Sequence, residues 1–219
     1  MCEAAYSSGT GAIIATPHFD AGIADTTRWR AAVGERLSSL KAALMQSSIP
    51  IDIYPSGEVL VTPELIEPIQ KGAAPFLADS DYMLVEFYFD ESLFEIDDML
   101  RRIASFGIRP VIAHPERYFA VQQDREAILR WFQTGYVIQI NKGSVLGRLG
   151  RGAQSTARWI LRRGLAHIAA SDAHHASIRT PELSGLRELL ETEYSEEYAD
   201  ILLTRNPRRI LQNRPMVDA

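Results

Sequence analysis

The chain has 219 residues, 46% hydrophobic and 23% charged, the balance of an ordinary folded protein. Its net charge is −5 and its basic residues are scattered, with Arg101-Arg102 and Arg162-Arg163 the densest pairs, which excludes a nucleic-acid surface as the first expectation. No apolar run reaches the length of a membrane span, and no signal-peptide core follows Met1.

A single cysteine, Cys2, leaves no internal disulfide and suits a reducing cytoplasm. Ser8 stands where a cysteine-based phosphatase would need its arginine, so any phosphatase chemistry must come from other residues. Met1 to Gly9 reads as the last turns of a helix stopped by glycine. Short β-branched runs then alternate with helical periods. Strands are expected at Ala12–Thr16, Ile51–Gly57, Tyr82–Phe87, Arg109–His114, Tyr136–Ile140 and Ala166–Ser171. The clearest helix runs from Thr26 to Gln46, with Trp29, Val33, Leu37, Leu40 and Leu44 on one stripe and Asp25 or Thr26 as its cap. Pro63 opens a short helix that Gly72 follows. Further helices fit Glu95–Phe106, Arg125–Gln133, Gln154–Arg163, Pro181–Thr192, Ser195–Leu203 and Asn206–Leu211. With no linker or repeat, the expectation is one α/β domain over residues 1–219. Six strands, each leading into a helix, resemble a barrel that begins inside the helix after its first strand. That expectation treats the chain as shortened or mis-started.

The chemistry collects at strand ends. Val111-Ile112-Ala113 runs into His114, and Pro115 stops the ladder, with Arg117 in the same loop. Thr16-Pro17-His18 repeats the theme, Glu58 follows Ser56-Gly57, and Ser171-Asp172-Ala173-His174 closes the sixth strand. Asp172 and His174, two apart, are expected on the same side of an extended backbone. Glu86 sits in Met83-Leu84-Val85-Glu86-Phe87, where a carboxylate costs several kcal/mol unless it is paired or binds a cation. Each has a plainer reading: Glu58 and His18 as turn residues, Glu86 as an edge acid, Asp172 as a helix cap. Together, three histidines and three acids at one end of a sheet point to a metal site. Mixed imidazole and carboxylate donors suit Mn²⁺, Fe²⁺ or Zn²⁺ over Mg²⁺ or Ca²⁺, and so many acids argue for more than one cation. The planar forks of Arg117 and Arg179 match phosphate oxygens. His167 reads as a satisfied core histidine, and His175 as solvated or supporting.

Ile112-Ala113-His114-Pro115-Glu116-Arg117-Tyr118, Ser171-Asp172-Ala173-His174, Ser56-Gly57-Glu58-Val59 and Val85-Glu86-Phe87 resemble the bacterial manganese-dependent protein-tyrosine phosphatases of the polymerase-and-histidinol-phosphatase (PHP) superfamily, CpsB/YwqE type. The resemblance extends from about Gly9 to Asn206-Pro207-Arg208-Arg209-Ile210-Leu211. It implies a distorted (β/α)7 barrel, here lacking its first β-strand and that strand's His-x-His pair. It also implies a manganese cluster held by His18, Glu58, Glu86, His114, Asp172 and His174, with Glu58 and Glu86 bridging and Arg117 and Arg179 gripping phosphate. The implied substrate is phosphotyrosine on a partner, typically a tyrosine autokinase controlling capsule or exopolysaccharide synthesis, and a homo-oligomer is compatible. The alternatives are a histidinol-phosphatase-like enzyme for small phosphomonoesters and a non-catalytic remnant.

Overall fold

The structure is a computed structural model that describes residues 1–218; Ala219, the end of the expected domain, lies outside the described residues. A short helix, Cys2–Ser7, precedes eight strands: β1 (Ala12–Ala15), β2 (His18–Asp20), β3 (Asp52–Pro55), β4 (Glu58–Leu60), β5 (Tyr82–Glu86), β6 (Arg109–Ala113), β7 (Val137–Asn141) and β8 (Ile168–Ala170). β1 pairs with β3, and the remaining six form one sheet in the order β2-β4-β5-β6-β7-β8. Every pairing is parallel. Among the described residues β2 and β8 have one paired neighbour each, so ladder hydrogen bonds do not join the two ends. Among the described residues no helix is long and apolar enough to cross a membrane.

Eight strands replace the six expected because each of the first two is followed, after a two-residue break, by a further short strand. Pro17 has no N–H to donate, and its carbonyl instead accepts from the Glu58 N–H at 3.0 Å, which restarts the ladder. His18 then lies in register with Glu58. Both residues are therefore on strands, where the sequence places them in the loops beyond. The second break is packed under Trp29: a Cβ on Gly57 would stand 2.8 Å from the indole. Trp29 in turn donates its indole N–H to the His18 carbonyl at 3.0 Å.

Two-residue alternation sorts the sheet into two faces. Met83, Val85, Ile112, Ile138 and Ile140 join the large core with Ile96, Leu100, Ile103, Ile128, Trp131 and Ile160 of the helices. Tyr82, Leu84, Val111, Ala113, Val137 and Ile168 line the opposite face with Ile14, Ile210 and Met216. Glu86 continues the Tyr82-Leu84 row, so its carboxylate belongs to this inner face and not to the helix-covered core.

The helices follow the expected pattern, with bounds shifted by up to three residues. Asp25 caps Thr26–Gln46 by accepting from the Arg28 N–H at 3.0 Å, and Ser92 caps Leu93–Ala104. Short helices at Phe119–Gln123 and Lys142–Val145 were not expected; one turn is too brief to carry a hydrophobic period. The two closing helices run together through a π-helical stretch, Ile201–Arg205. Fully buried Asn206 holds the tail down: its amide donates to the carbonyls of His167 and Val217, and its oxygen accepts from the Val217 N–H, each at 2.9 Å.

Candidate metal and phosphate site

Four of the sequence-selected residues converge on the inner face: His18 and Glu58 at the starts of β2 and β4, Glu86 at the C-terminal end of β5, and His114 just beyond that of β6. His18 Nδ1 lies 3.0 Å from Glu86 Oε1 and 3.4 Å from Glu58 Oε2. His114 Nε2 lies 3.1 Å from Glu58 Oε1 and 3.6 Å from Glu86 Oε2. Two imidazoles and two carboxylates thus alternate around a ring. Glu58 and His114 are buried, while His18 opens the ring to solvent. His114 is one residue beyond inward-facing Ala113, and strand alternation would send it toward the helices. Its left-handed backbone, φ +36°, sends the imidazole to the acids instead.

The electrostatics of this ring are strained. Burial and the neighbouring Glu58 carboxylate hold the Glu86 carboxyl above its ordinary pKa, against the opposing pull of His114 and His18. Burial opposes charge on His114, but the hydrogen bond and charge of Glu58, with the charge of Glu116, carry its pKa above the ordinary value. His114 Nδ1 is buried without a partner among the described residues. One ligand atom each from His18, Glu58 and Glu86 lies within 4.8 Å of the others. Two acids brought together this closely, with imidazole nitrogens beside them, are the donor set a divalent cation satisfies.

Asp172 and His174 form a second group beside the first. The rings of His174 and His18 are 5.6 Å apart. The expected extended backbone is corrected: β8 stops at Ala170, and Asp172 is left-handed with φ +47°. Once the ladder ends, nothing imposes the strand conformation, and local bonds decide. His174 Nδ1 sits 3.0 Å from the Asp172 carbonyl and 3.4 Å from its Oδ1. Asp172 Oδ2 accepts from Arg179 and from the Asn141 amide, with Arg117 at 3.6 Å. Both arginines selected as phosphate ligands therefore meet at one carboxylate.

Three supporting residues escape a search for ligand-type side chains. Asn141, at the end of β7, bonds Asp172 through its amide, while its N–H donates to Glu116 Oε1 at 3.0 Å. Glu116 is fully buried, and burial raises its carboxyl pKa. Lys142 is buried, and its ammonium donates to the carbonyl oxygens of Thr180 and Glu182, the latter at 2.8 Å, so it pins the loop that carries Arg179. The signal for Asn141 was its place at a strand end; Glu116 and Lys142 gave none, since their partners are distant in sequence. His167 is a core residue as expected, accepting from the Ile138 N–H at 3.0 Å and stacked on Phe132. His175 is exposed and, among the described residues, bonds only Ser177.

The family described as capsular polysaccharide synthesis, CpsB/CapC, matches residues 1–212. The tyrosine-protein phosphatase YwqE of Bacillus subtilis (strain 168) is 30% identical over 98% of this chain and 83% of its own length. The tyrosine-protein phosphatase CpsB of Streptococcus pneumoniae is 29% identical over 95% of this chain and 87% of its own. The fold superposes on a crystal structure from the work on YwqE and CpsB, described there as metal-dependent tyrosine phosphatases, with a TM-score of 0.89 and coverage of 100% of this chain and 87% of that one. An adenine deaminase from Arthrobacter aurescens, 14% identical with a TM-score of 0.53, shares the fold alone.

Proposed function

Since this chain belongs to the CpsB/CapC family of capsular polysaccharide synthesis, we propose that it is a metal-dependent protein-tyrosine phosphatase. The observation that carries the reading is the ring of His18, Glu58, His114 and Glu86 beside two arginines that share one carboxylate. The curated relatives' names favour a phosphotyrosyl protein over a small-molecule ester.

The donor set fits a cation on the structure's own terms: two acids in mutual repulsion, two imidazoles, and a wall of buried groups that fixes their directions. His18, Glu58, Glu86 and His114 would hold it, with Asp172 and His174 available to a second. Manganese is the proposed metal, with Fe²⁺ or Zn²⁺ compatible with the same donors. Bound there, the cation supplies Lewis acidity toward a phosphoryl oxygen and toward the attacking water.

The chain's own groups do the rest. Arg117 and Arg179 bind the phosphoryl oxygens, exchanging part of their pairing with Asp172 for the substrate dianion. Their fixed donors then stabilise the charge as the water oxygen bonds to phosphorus and the ester bond breaks. The leaving tyrosinate, with a conjugate acid pKa near about 10, departs with little proton assistance. The proposed partner is the phosphotyrosyl segment of a tyrosine autokinase, met in the cytoplasm. Residues 1–219 would form one domain of this phosphatase type.

The test is hydrolysis of a phosphotyrosyl peptide with manganese, with chelator, and with manganese restored. Turnover lost to chelator and regained with metal supports the reading. Metal-independent turnover, or none under any condition, overturns it.

A further inference from the structure

Three exposed aromatic residues lie on the two loops that follow Glu86 and His114. Tyr88 and Phe89 follow β5, the strand of Glu86, and Phe119 follows the turn after His114. The Phe119 N–H donates to the Phe89 carbonyl at 2.8 Å, which ties the two loops together. Phe89 is the member in contact with the chemistry. The Arg117 guanidinium carbon stands 4.4 Å from the centre of its ring, and the His114 ring centre is 6.1 Å away. Yet 38% of Phe89 is exposed, with Tyr88 at 52% and Phe119 at 56%. Apolar rings this close to an anion-binding group give up free energy to water unless a ligand covers them.

We propose that Phe89 is a specificity-determining residue that receives the aryl ring of the substrate, so that the site selects aromatic over alkyl phosphomonoesters. The inference rests on the reading of Arg117 as a phosphate ligand. In an aryl phosphate the ring is joined to the phosphoryl group through a single oxygen. A phosphoryl group held by Arg117 therefore carries the aryl ring to within an aromatic contact of Phe89, for which centroid separations of about 4.5–7 Å are favourable. A phosphoseryl group has only a methylene at that place and leaves Phe89 wet. Cation–π contact with Arg117 fixes the Phe89 ring before substrate arrives, so little entropy is lost in forming the contact.

The experiment measures binding, without turnover, of phenylphosphonate and methylphosphonate to the manganese-supplied protein by calorimetry. The wild type should prefer phenylphosphonate by about tenfold, the scale of one aromatic contact with its buried area. Phe89→Leu should remove that preference and leave methylphosphonate affinity within about twofold, while Phe89→Tyr should keep it. Equal weakening of both ligands in Phe89→Leu would mean that the ring only holds Arg117, and would overturn the proposal. No preference in the wild type, or no binding of either ligand, would overturn it as well. A phenyl preference in a protein that hydrolyses no phosphotyrosyl peptide would sink the proposed activity and leave this inference standing.

Discussion

Arg179 donates a guanidinium N–H to Oδ2 of Asp172, and both residues hold left-handed backbone, φ +52° and +47°. Non-glycine residues in that region cost of order 1–3 kcal/mol each, and the surrounding bonds must hold them there. Asn141 grips the same carboxylate, and Lys142 fastens the intervening loop through Thr180 and Glu182. The loop after β8 is therefore built around one charge pair.

Asp172→Asn keeps the shape and removes the charge that occupies Arg179 and Arg117. Inorganic phosphate should then bind the metal-free protein roughly tenfold tighter, because a charge-assisted competitor is gone. Turnover with manganese should fall by about two orders of magnitude if Asp172 is also a metal donor. Phosphate titration by calorimetry and a peptide assay read the two effects separately. Weaker phosphate binding would show that Asp172 positions the arginines instead of competing for them.

Glu86→Ala separates metal binding from folding. The carboxylate is partly buried beside Glu58, and its pKa is raised by that burial and by the like charge, so the metal-free fold gains nothing from keeping it ionised. The metal-free melting temperature should hold or rise, while bound manganese measured by elemental analysis should drop to half or less. Unchanged metal with a lower melting temperature would make Glu86 a structural acid.

Gly57→Ala should act at a distance. The new methyl would press on the Trp29 indole, a packed group whose N–H anchors the His18 carbonyl. Overpacking of this kind costs about 1–3 kcal/mol. Denaturant unfolding should report that loss, and the affinity for manganese should weaken with it, since His18 loses its tether. A variant as stable as the wild type with intact metal affinity would contradict the tethering role.

His167 sets a pH limit on stability. Burial lowers its pKa from 6.5 to about 4, with Asp218 pulling weakly the other way. The folded state thus favours the neutral ring, whose Nδ1 accepts the Ile138 N–H. Stability from this group is complete above pH 6.5 and is lost as pH falls toward about 4, where the unfolded chain binds the proton and the folded one resists it. The full depression corresponds to about 3 kcal/mol. Urea unfolding across that range, compared with His167→Asn, should show the slope in the wild type and a flatter curve in the variant. Parallel curves would assign the acid sensitivity to the carboxylates.

The inner and outer faces of the sheet, the parallel βα order and the selection of His18, Glu58, Glu86 and His114 as ligand-type residues follow from local information. Two-residue alternation, helical periods and ligand-type side chains at strand ends are properties of neighbouring residues, and parallel pairing through crossover helices brings all strand ends of one sense to one side. Tertiary structure decided what neighbours cannot encode. Pro17 and Gly57 break the first two strands because a proline carbonyl found the Glu58 N–H and Trp29 needed the space over the glycine. The left-handed turns at His114, Asp172 and Arg179 are stable only because distant groups hold their side chains. Glu116, Asn141 and Lys142 gain their roles from partners 25 to 40 residues away, which no period in the sequence announces. Above all, the pairing of both arginines with Asp172 is an electrostatic outcome of assembly: each loop brings its own charge, and only the folded sheet brings the loops together.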